Sequence, residues 1–179
     1  MTDCLKDLSA AAQRRYGEAM EVAQYEDVAT PHDGLVLFTV SFLDDKSNKH
    51  RALRYVAECT RPASTLNHTP AGEALGQLQL FEHLPSKWAY RPWFVASRRL
   101  ISTATGNVTV FVEGAHPRGT FARVELAQVL INCAIPSVNE VDKMDWVMGE
   151  MPTICPRLSS PILTRGASIQ RLAGSGPVP

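Results

Sequence analysis

Residues 35–43 read LVLFTVSFL, and this stretch decides the fold class. Its first half is continuously apolar, and the whole stretch is rich in β-branched and aromatic side chains. This pattern predicts a strand that is buried on both faces of a sheet. Pro31 and Gly34 lie just before it and separate it from an earlier helical segment.

Helices are predicted on both sides of this strand. Apolar residues recur at three- or four-residue steps over residues 5–23, which predicts an amphipathic first helix with its cap at Thr2 or Asp3. We expect this helix to pack on the sheet. A short helix is predicted over residues 70–84, and another over residues 139–148.

Further strands are predicted after the first one. Residues 52–59 would pair with the first strand as a hairpin around a polar turn at 44–49. Residues 88–113 carry the clearest β pattern, because Trp, Phe, Val and Ile side chains dominate there. The dipeptide Gly106-Asn107 would form the turn inside this second hairpin.

The predicted fold class is α+β. We expect a mixed or antiparallel sheet of four to six strands with flanking helices. Residues 120–131 suit a helix or a strand, with the helix slightly favoured. The alternative is an all-β sandwich, since residues 35–131 could hold more strands than these.

The composition changes after Glu150, which predicts a globular domain over residues 1–150 and an extended tail over residues 151–179. Five of the 29 tail residues are proline, and serine and glycine are frequent. Such a segment cannot build its own core. Its three arginines and absence of acids make the tail +3, so residues 1–150 sum to −3 because the whole chain is neutral.

The tail is predicted to bind a protein partner or a second copy of the chain. It would lie extended across that partner, with apolar side chains as anchors and arginines between them. Its three charges give only a weak attraction to nucleic acid. The residues assigned to this contact are Arg157, Leu158, Ile162, Leu163, Arg165, Ile169, Arg171 and Leu172.

The four cysteines and the overall composition favour a cytoplasmic, reducing compartment. Cys4, Cys59, Cys133 and Cys155 lie far apart and form no CxxC pair, so neither a zinc site nor a secreted disulfide framework is expected. We expect no signal peptide, and the sequence shows no apolar run long enough to span a membrane. We expect no metal and no cofactor.

The first functional hypothesis is a non-enzymatic structural or adaptor subunit of a larger assembly, of the virion or ribonucleoprotein kind. It depends on the tail and on the absence of specific catalytic motifs. The chain has no P-loop, no dinucleotide fingerprint, no HExxH and no GxSxG.

The alternative hypothesis is a small effector-like enzyme that acts on a nucleotide or a nucleic acid, as an ADP-ribosyltransferase or a nuclease does. Its candidate residues are Arg98, Arg99, Ser102, His116 and Glu125. An arginine, a Ser/Thr strand and a later glutamate are the arrangement with which ADP-ribosyltransferases hold a dinucleotide and stabilise an oxocarbenium ion.

Aromatic residues alternate with basic ones immediately before these candidates. Trp88, Tyr90 and Trp93 are interleaved with Lys87 and Arg91. This pattern is typical of surfaces that stack on bases or on a peptide, and also of the edge of a core.

Overall fold

The computed structural model describes residues 5–39, 47–115 and 119–154. These residues contain seven α-helices and four short strands. In chain order the elements are α1 Ala10–Tyr25, β1 Leu35–Phe38, α2 Ser47–Glu58, α3 Pro70–Gln77, α4 Leu80–His83, α5 Ser86–Thr103, β2 Val108–Phe111, α6 Leu126–Ile131, β3 Ser137–Val138, β4 Val141–Asp142 and α7 Lys143–Ile154. Short 3₁₀ turns occur at Leu5–Asp7 and Leu66–His68, and π-helical turns over Phe121–Glu125 lead directly into α6.

The four strands form one mixed sheet in the order β1-β2-β3-β4. β1 and β2 are parallel, with Leu35 opposite Val108, and β2 and β3 are also parallel. β3 and β4 form an antiparallel hairpin whose turn holds Asn139 and Glu140 at φ 50° and 66°. The prediction of an α+β fold with a mixed sheet is confirmed, and the all-β sandwich is wrong.

The first strand is buried as its sequence predicts. Leu35, Val36 and Leu37 are all among the most buried side chains of the chain. On the side away from β2, the backbone of Ser64 bonds to Gly34 and Val36 and covers that edge. An apolar strand in this position is therefore covered on its faces and along its outer edge.

Helix α5 belongs to both hydrophobic cores of the molecule. Its C-terminal half contributes Leu100 and Ile101 to the core under the sheet. Its N-terminal half contributes Ala89 and Ala96 to a second core shared with α1, α3 and α4. The small side chains on this face let α1 approach α5 closely.

The predicted strand over residues 52–59 is wrong, because residues 52–58 lie in helix α2. Asn48 and Ala52 are buried four residues apart, while most of the helix is polar and exposed. That spacing places one narrow stripe against the sheet, which is a helical pattern. The predicted hairpin with β1 is accordingly absent from the described residues. Residues 47–49 of its predicted turn lie in α2, whereas residues 44–46 of the turn and residues 40–43 of the first predicted strand lie outside the described residues.

The predicted strand in the first part of residues 88–113 is also wrong, because α5 runs from Ser86 to Thr103. Ala89, Pro92, Ala96 and Leu100 are buried at three- and four-residue steps. Burial of that face outweighs the β propensity of the Trp, Phe and Val residues around it. The later strand is confirmed as β2, and it pairs with β1 in parallel.

Several helical predictions are confirmed. Residues 120–131 are helical, first with π turns and then as α6. Residues 70–84 contain α3 and α4, and Pro70 is the first residue of α3, as expected. The first helix begins at Ala10 after a cap at Ser9, whereas the predicted caps Thr2 and Asp3 lie outside the described residues.

The C-terminal tail remains a prediction. Helix α7 continues to Ile154, four residues beyond the predicted boundary at Glu150. Residues 155–179, which include all eight residues assigned to partner binding, lie outside the described residues. Over the described ranges, none of the helices has both the length and the hydropathy needed to cross a membrane.

Candidate active site

A cavity of about 690 Å³ lies at the carboxyl end of β1. Residues 36–39 form one side of it, helix α5 forms a second, and residues 119–125 form a third. Ligands of open sheets with parallel strands bind outside the carboxyl ends of those strands. The cavity therefore occupies the position where a functional site is expected in this topology.

Glu125 is the buried carboxyl group of this cavity. Its side chain is 7% exposed, and Ser97 beside it is 3% exposed. The Ser97 hydroxyl donates a hydrogen bond of 2.6 Å to Oε1 of Glu125. The bond joins α5 to the residues before α6 and holds the carboxyl group in one orientation.

Burial changes the acidity of Glu125. Loss of hydration penalises the ionised form and raises the pKa of this carboxyl from 4.5 to about 7, and the hydrogen bond from Ser97 opposes this rise. Both protonation states are consequently accessible near neutral pH. A carboxyl with this property can act in catalysis as a base, an acid or a nucleophile.

Glu125 is the last residue of the π-helical turns. The backbone N–H of Leu126 donates to the carbonyl of Phe121, five residues earlier, whereas in an α-helix it would donate to the carbonyl four residues earlier. Such turns are rare and are frequent at functional sites, because the extra residue turns a side chain to a different face. Here Phe121 faces the core against Trp146 and Glu125 lines the cavity.

Aromatic side chains form the wall opposite the sheet. Tyr90, Trp93 and Phe94 of α5 line the cavity together with Phe81 of α4. The Trp93 Nε1–H is buried and has no hydrogen-bond partner among the described residues. A buried donor without a partner is costly to the stability of the fold.

The charged residues at the cavity are mostly cationic. Lys49 and Arg123 are exposed and line it, and Glu125 supplies the carboxyl group. Two cations at the rim favour an anionic ligand. Among the described residues, no three His, Cys, Asp or Glu side chains come together as possible metal ligands.

The residues predicted for an enzyme are found in different places. Glu125 lines the cavity, whereas Arg98, Arg99 and Ser102 are not among the residues that line it. Arg99 donates to the carbonyls of Ala23 and Glu26 at the end of α1, and Ser102 donates to the Arg99 carbonyl. Arg98 is exposed on α5, and His116 lies outside the described residues.

The residues predicted for stacking also divide into two groups. Tyr90 and Trp93 line the cavity. Trp88 is buried on another face of α5, where its ring lies edge-on to Tyr16 at 5.2 Å and under the Arg91 guanidinium at 4.8 Å.

Sequence reasoning missed Ser97, Phe81 and Phe94. The signal for two of them was present, because Tyr90, Phe94 and Ser97 recur at helical spacing. If this segment is interpreted as a strand, these residues lie on both faces of a sheet. The face that they share in a helix is then not recognised. Phe81 has no such signal, since it lies in a different helix.

Comparison with known proteins gives matches only among solved structures. No protein-family model matches the chain, and no curated protein matches it. An ADP ribosyl cyclase complexed with N1-cIDPR is 17% identical with a TM-score of 0.47, and the alignment covers 72% of this chain and 62% of that one. The present chain thus spans less than two thirds of that protein.

Two further structures show the same level of similarity. Aplysia cyclase complexed with substrate NGD and product cGDPR is 14% identical with a TM-score of 0.47, over 80% of this chain and 74% of that one. Porcine CD38 complexed with a covalent intermediate, ribo-F-ribose-5′-phosphate, is 15% identical with a TM-score of 0.48, over 83% and 80%. All three identities are below 20%, and all three TM-scores are below 0.5.

The hypothesis of a structural or adaptor subunit is wrong. The solved structures just named are cyclases and CD38, and two of them hold a substrate with a product or a covalent intermediate. A subunit with a purely structural role also has no need of a buried carboxyl group facing an open cavity.

Proposed function

We propose that this protein is an enzyme that acts on a nucleotide and breaks the N-glycosidic bond between the ribose and its base. The observation that carries this proposal is the buried carboxyl group of Glu125, held by Ser97 on the wall of an open cavity. Burying a carboxyl group destabilises the fold, so its presence at a cavity favours a role in chemistry.

The cavity suits the chemical groups of a nucleotide. Trp93 offers a ring against which a planar base can pack. Lys49 and Arg123 offer positive charge to phosphate oxygens. The volume of about 690 Å³ lies within the range of pockets for ligands of nucleotide size.

The proposed reaction uses Glu125 as the group that faces the anomeric carbon. The bond from C1′ to the base nitrogen breaks, and its electron pair leaves with the base. The positive charge that develops on C1′ and the ring oxygen is stabilised by the ionised carboxylate. A water molecule then adds its oxygen to C1′, and its proton passes through the carboxylate to the nitrogen of the departing base. The products are the free base and a ribosyl phosphate compound, and the carboxylate of Glu125 is ionised again.

Ser97 has a positioning role in this proposal. Its hydroxyl engages Oε1 of Glu125 in either protonation state and restricts rotation of the carboxyl group. We assign Ser97 to this position in place of Ser102, and Arg123 to phosphate binding in place of Arg98 and Arg99.

The test is a comparison of Glu125→Gln with the unchanged protein. A panel of dinucleotides and nucleoside diphosphates is incubated with each protein, and the released base is measured by chromatography. We expect base release from at least one dinucleotide and a loss of about 10²- to 10⁴-fold in kcat for Glu125→Gln. Glu82→Gln makes the same chemical change at an exposed site and should retain full activity.

Two outcomes would overturn the proposal. One is the absence of base release from every nucleotide in the panel. The other is a Glu125→Gln variant that folds and retains the activity.

A reducing, cytoplasmic location is also part of the proposal. Cys59 and Cys133 are free thiols, and Cys133 is exposed. Exposed free thiols are typical of proteins in a reducing compartment. Fractionation of cells that produce the protein, followed by alkylation of Cys133 without prior reduction, tests this location.

A further inference from the structure

We infer that Phe81, Tyr90 and Phe94, here called the aromatic rim, form a stacking site for the second base of a dinucleotide. This inference rests on the proposed function, because it names the part of the substrate that lies farther from Glu125. The aromatic rim lines the same cavity as Ser97 and Glu125.

Exposure is the first reason for this assignment. Phe81 is 51% exposed and Tyr90 is 45% exposed. Two neighbouring half-exposed aromatic side chains at the mouth of a cavity form an apolar patch, and patches of this kind mark binding sites. Each side chain would be covered by a planar ligand.

The arrangement of the three rings is the second reason. Phe81 and Tyr90 meet edge to face, with ring centroids 4.8 Å apart and an angle of 73° between their planes. Tyr90 and Phe94 are nearly parallel, with an angle of 19° and a centroid distance of 5.8 Å. The rings support one another in these orientations, so stacking of a base requires little additional ordering.

Position along α5 is the third reason. Tyr90 precedes Ser97 by seven residues, which is two helical turns and about 10 Å along the helix axis. Both residues face the cavity. A ligand with its reacting ribose at Glu125 and a second base at Tyr90 must therefore extend along the helix, as a dinucleotide can.

The charges fit the same orientation. Lys49 and Arg123 line the cavity and can meet the diphosphate that joins two nucleosides. A peptide or an oligosaccharide could also contact exposed aromatic rings, but neither requires the two cations. We therefore assign the aromatic rim to the second base of a dinucleotide, for which adenine serves as the probe.

The test uses binding, so it does not depend on the proposed reaction. Affinities for adenosine 5′-diphosphate and for inorganic pyrophosphate are measured by calorimetry with the unchanged protein, with Tyr90→Ala and with Tyr90→Phe. We expect adenosine 5′-diphosphate to bind more tightly than pyrophosphate. Tyr90→Ala should weaken the former by about fivefold to 150-fold and leave pyrophosphate unchanged.

Two controls separate stacking from other effects. Tyr90→Phe keeps the ring and should keep the affinity, whereas a loss in this variant would assign the contact to the hydroxyl group. Tyr25→Ala removes a tyrosine that is 79% exposed and lies outside the cavity, and it should have no effect. A thermal unfolding curve shows whether each variant is folded, and Phe81→Ala replaces Tyr90→Ala if that variant is not.

The outcomes distinguish this inference from the proposed function. Base-dependent binding that is lost in Tyr90→Ala supports the aromatic rim even if no nucleotide is cleaved. Equal affinity of Tyr90→Ala and the unchanged protein for adenosine 5′-diphosphate, or no binding at millimolar concentration, overturns it even if cleavage is observed.

Discussion

The hydroxyl of Ser97 lies 2.6 Å from Oε1 of Glu125, and both side chains are buried. Ser97 belongs to α5, and Glu125 ends the π-helical turns before α6. The pair thus connects two elements at the cavity by a hydrogen bond. The pKa of Glu125 depends on this burial and on the hydrogen bond from Ser97.

Replacing Glu125 with Gln should increase the stability of the protein at alkaline pH. Folding raises the pKa of this carboxyl from 4.5 to about 7, so the folded state holds the proton more tightly than the unfolded state. The contribution of this group to the folding stability is therefore fully present below pH 4.5, declines as the pH rises to about 7 and stays low above it. The contribution that is lost between these two pH values corresponds to roughly 3 kcal/mol.

The measurement is urea unfolding of both proteins at pH 4.5 and at pH 8. Gln cannot ionise and retains an acceptor for Ser97, so the free energy of unfolding of the variant should exceed that of the parent only at pH 8. If the free energies of unfolding of the variant and the parent differ by the same amount at both pH values, Glu125 does not titrate in this way.

Replacing Ser97 with Ala should move the pH dependence of activity to higher pH. The hydrogen bond from Ser97 lowers the pKa of Glu125, so its loss raises this pKa further. If the ionised carboxylate is the active form, kcat at pH 7 should fall by about fivefold and recover at higher pH.

A pH–rate profile of the two proteins tests this expectation. Ser102→Ala removes a hydroxyl that is exposed and bonds only to the Arg99 carbonyl among the described contacts, so its profile should match the parent. A uniform loss of rate at every pH would indicate that Ser97 acts in another way.

Replacing Arg99 with Ala should destabilise the fold, whereas Arg98→Ala should not. Arg99 donates from one guanidinium nitrogen to the carbonyls of Ala23 and Glu26, at distances of 2.8 and 3.0 Å, where α1 ends. These carbonyls have no partner within the helix. Loss of this contact should cost about 1–3 kcal/mol.

Arg98 is the matched control, because it precedes Arg99 in the same helix and is exposed. Urea midpoints of the two variants give the comparison. Equal midpoints would contradict a capping role for Arg99.

Two glycines inside helices should respond to alanine in opposite directions. A Cβ on Gly72 would collide with the backbone carbonyl of Leu66, whereas a Cβ on Gly17 meets no atom within 4 Å. Gly72→Ala should destabilise the protein by about 1–3 kcal/mol, and Gly17→Ala should stabilise it by about 1 kcal/mol. Thermal or urea unfolding measures both changes, and a stabilising Gly72→Ala would contradict the close contact of α3 with Leu66.

The sequence determined the elements whose signals are local. The apolar run at Leu35 predicts a buried strand in any arrangement, because these side chains must leave water. Pro70 after Thr69 predicts the start of α3, and in the structure the Thr69 hydroxyl accepts from the N–H of Gly72. The α+β class follows from such segments.

The tertiary structure alone decided the state of α5 and the composition of the site. Residues 86–103 have the side chains of a strand, but burial of one helical face between two cores outweighs that preference. Once α5 is a helix, Ser97 comes to lie beside Glu125, which is 28 residues away in sequence. The pKa of Glu125 depends on that burial, and no local pattern of residues encodes the loss of hydration that causes it.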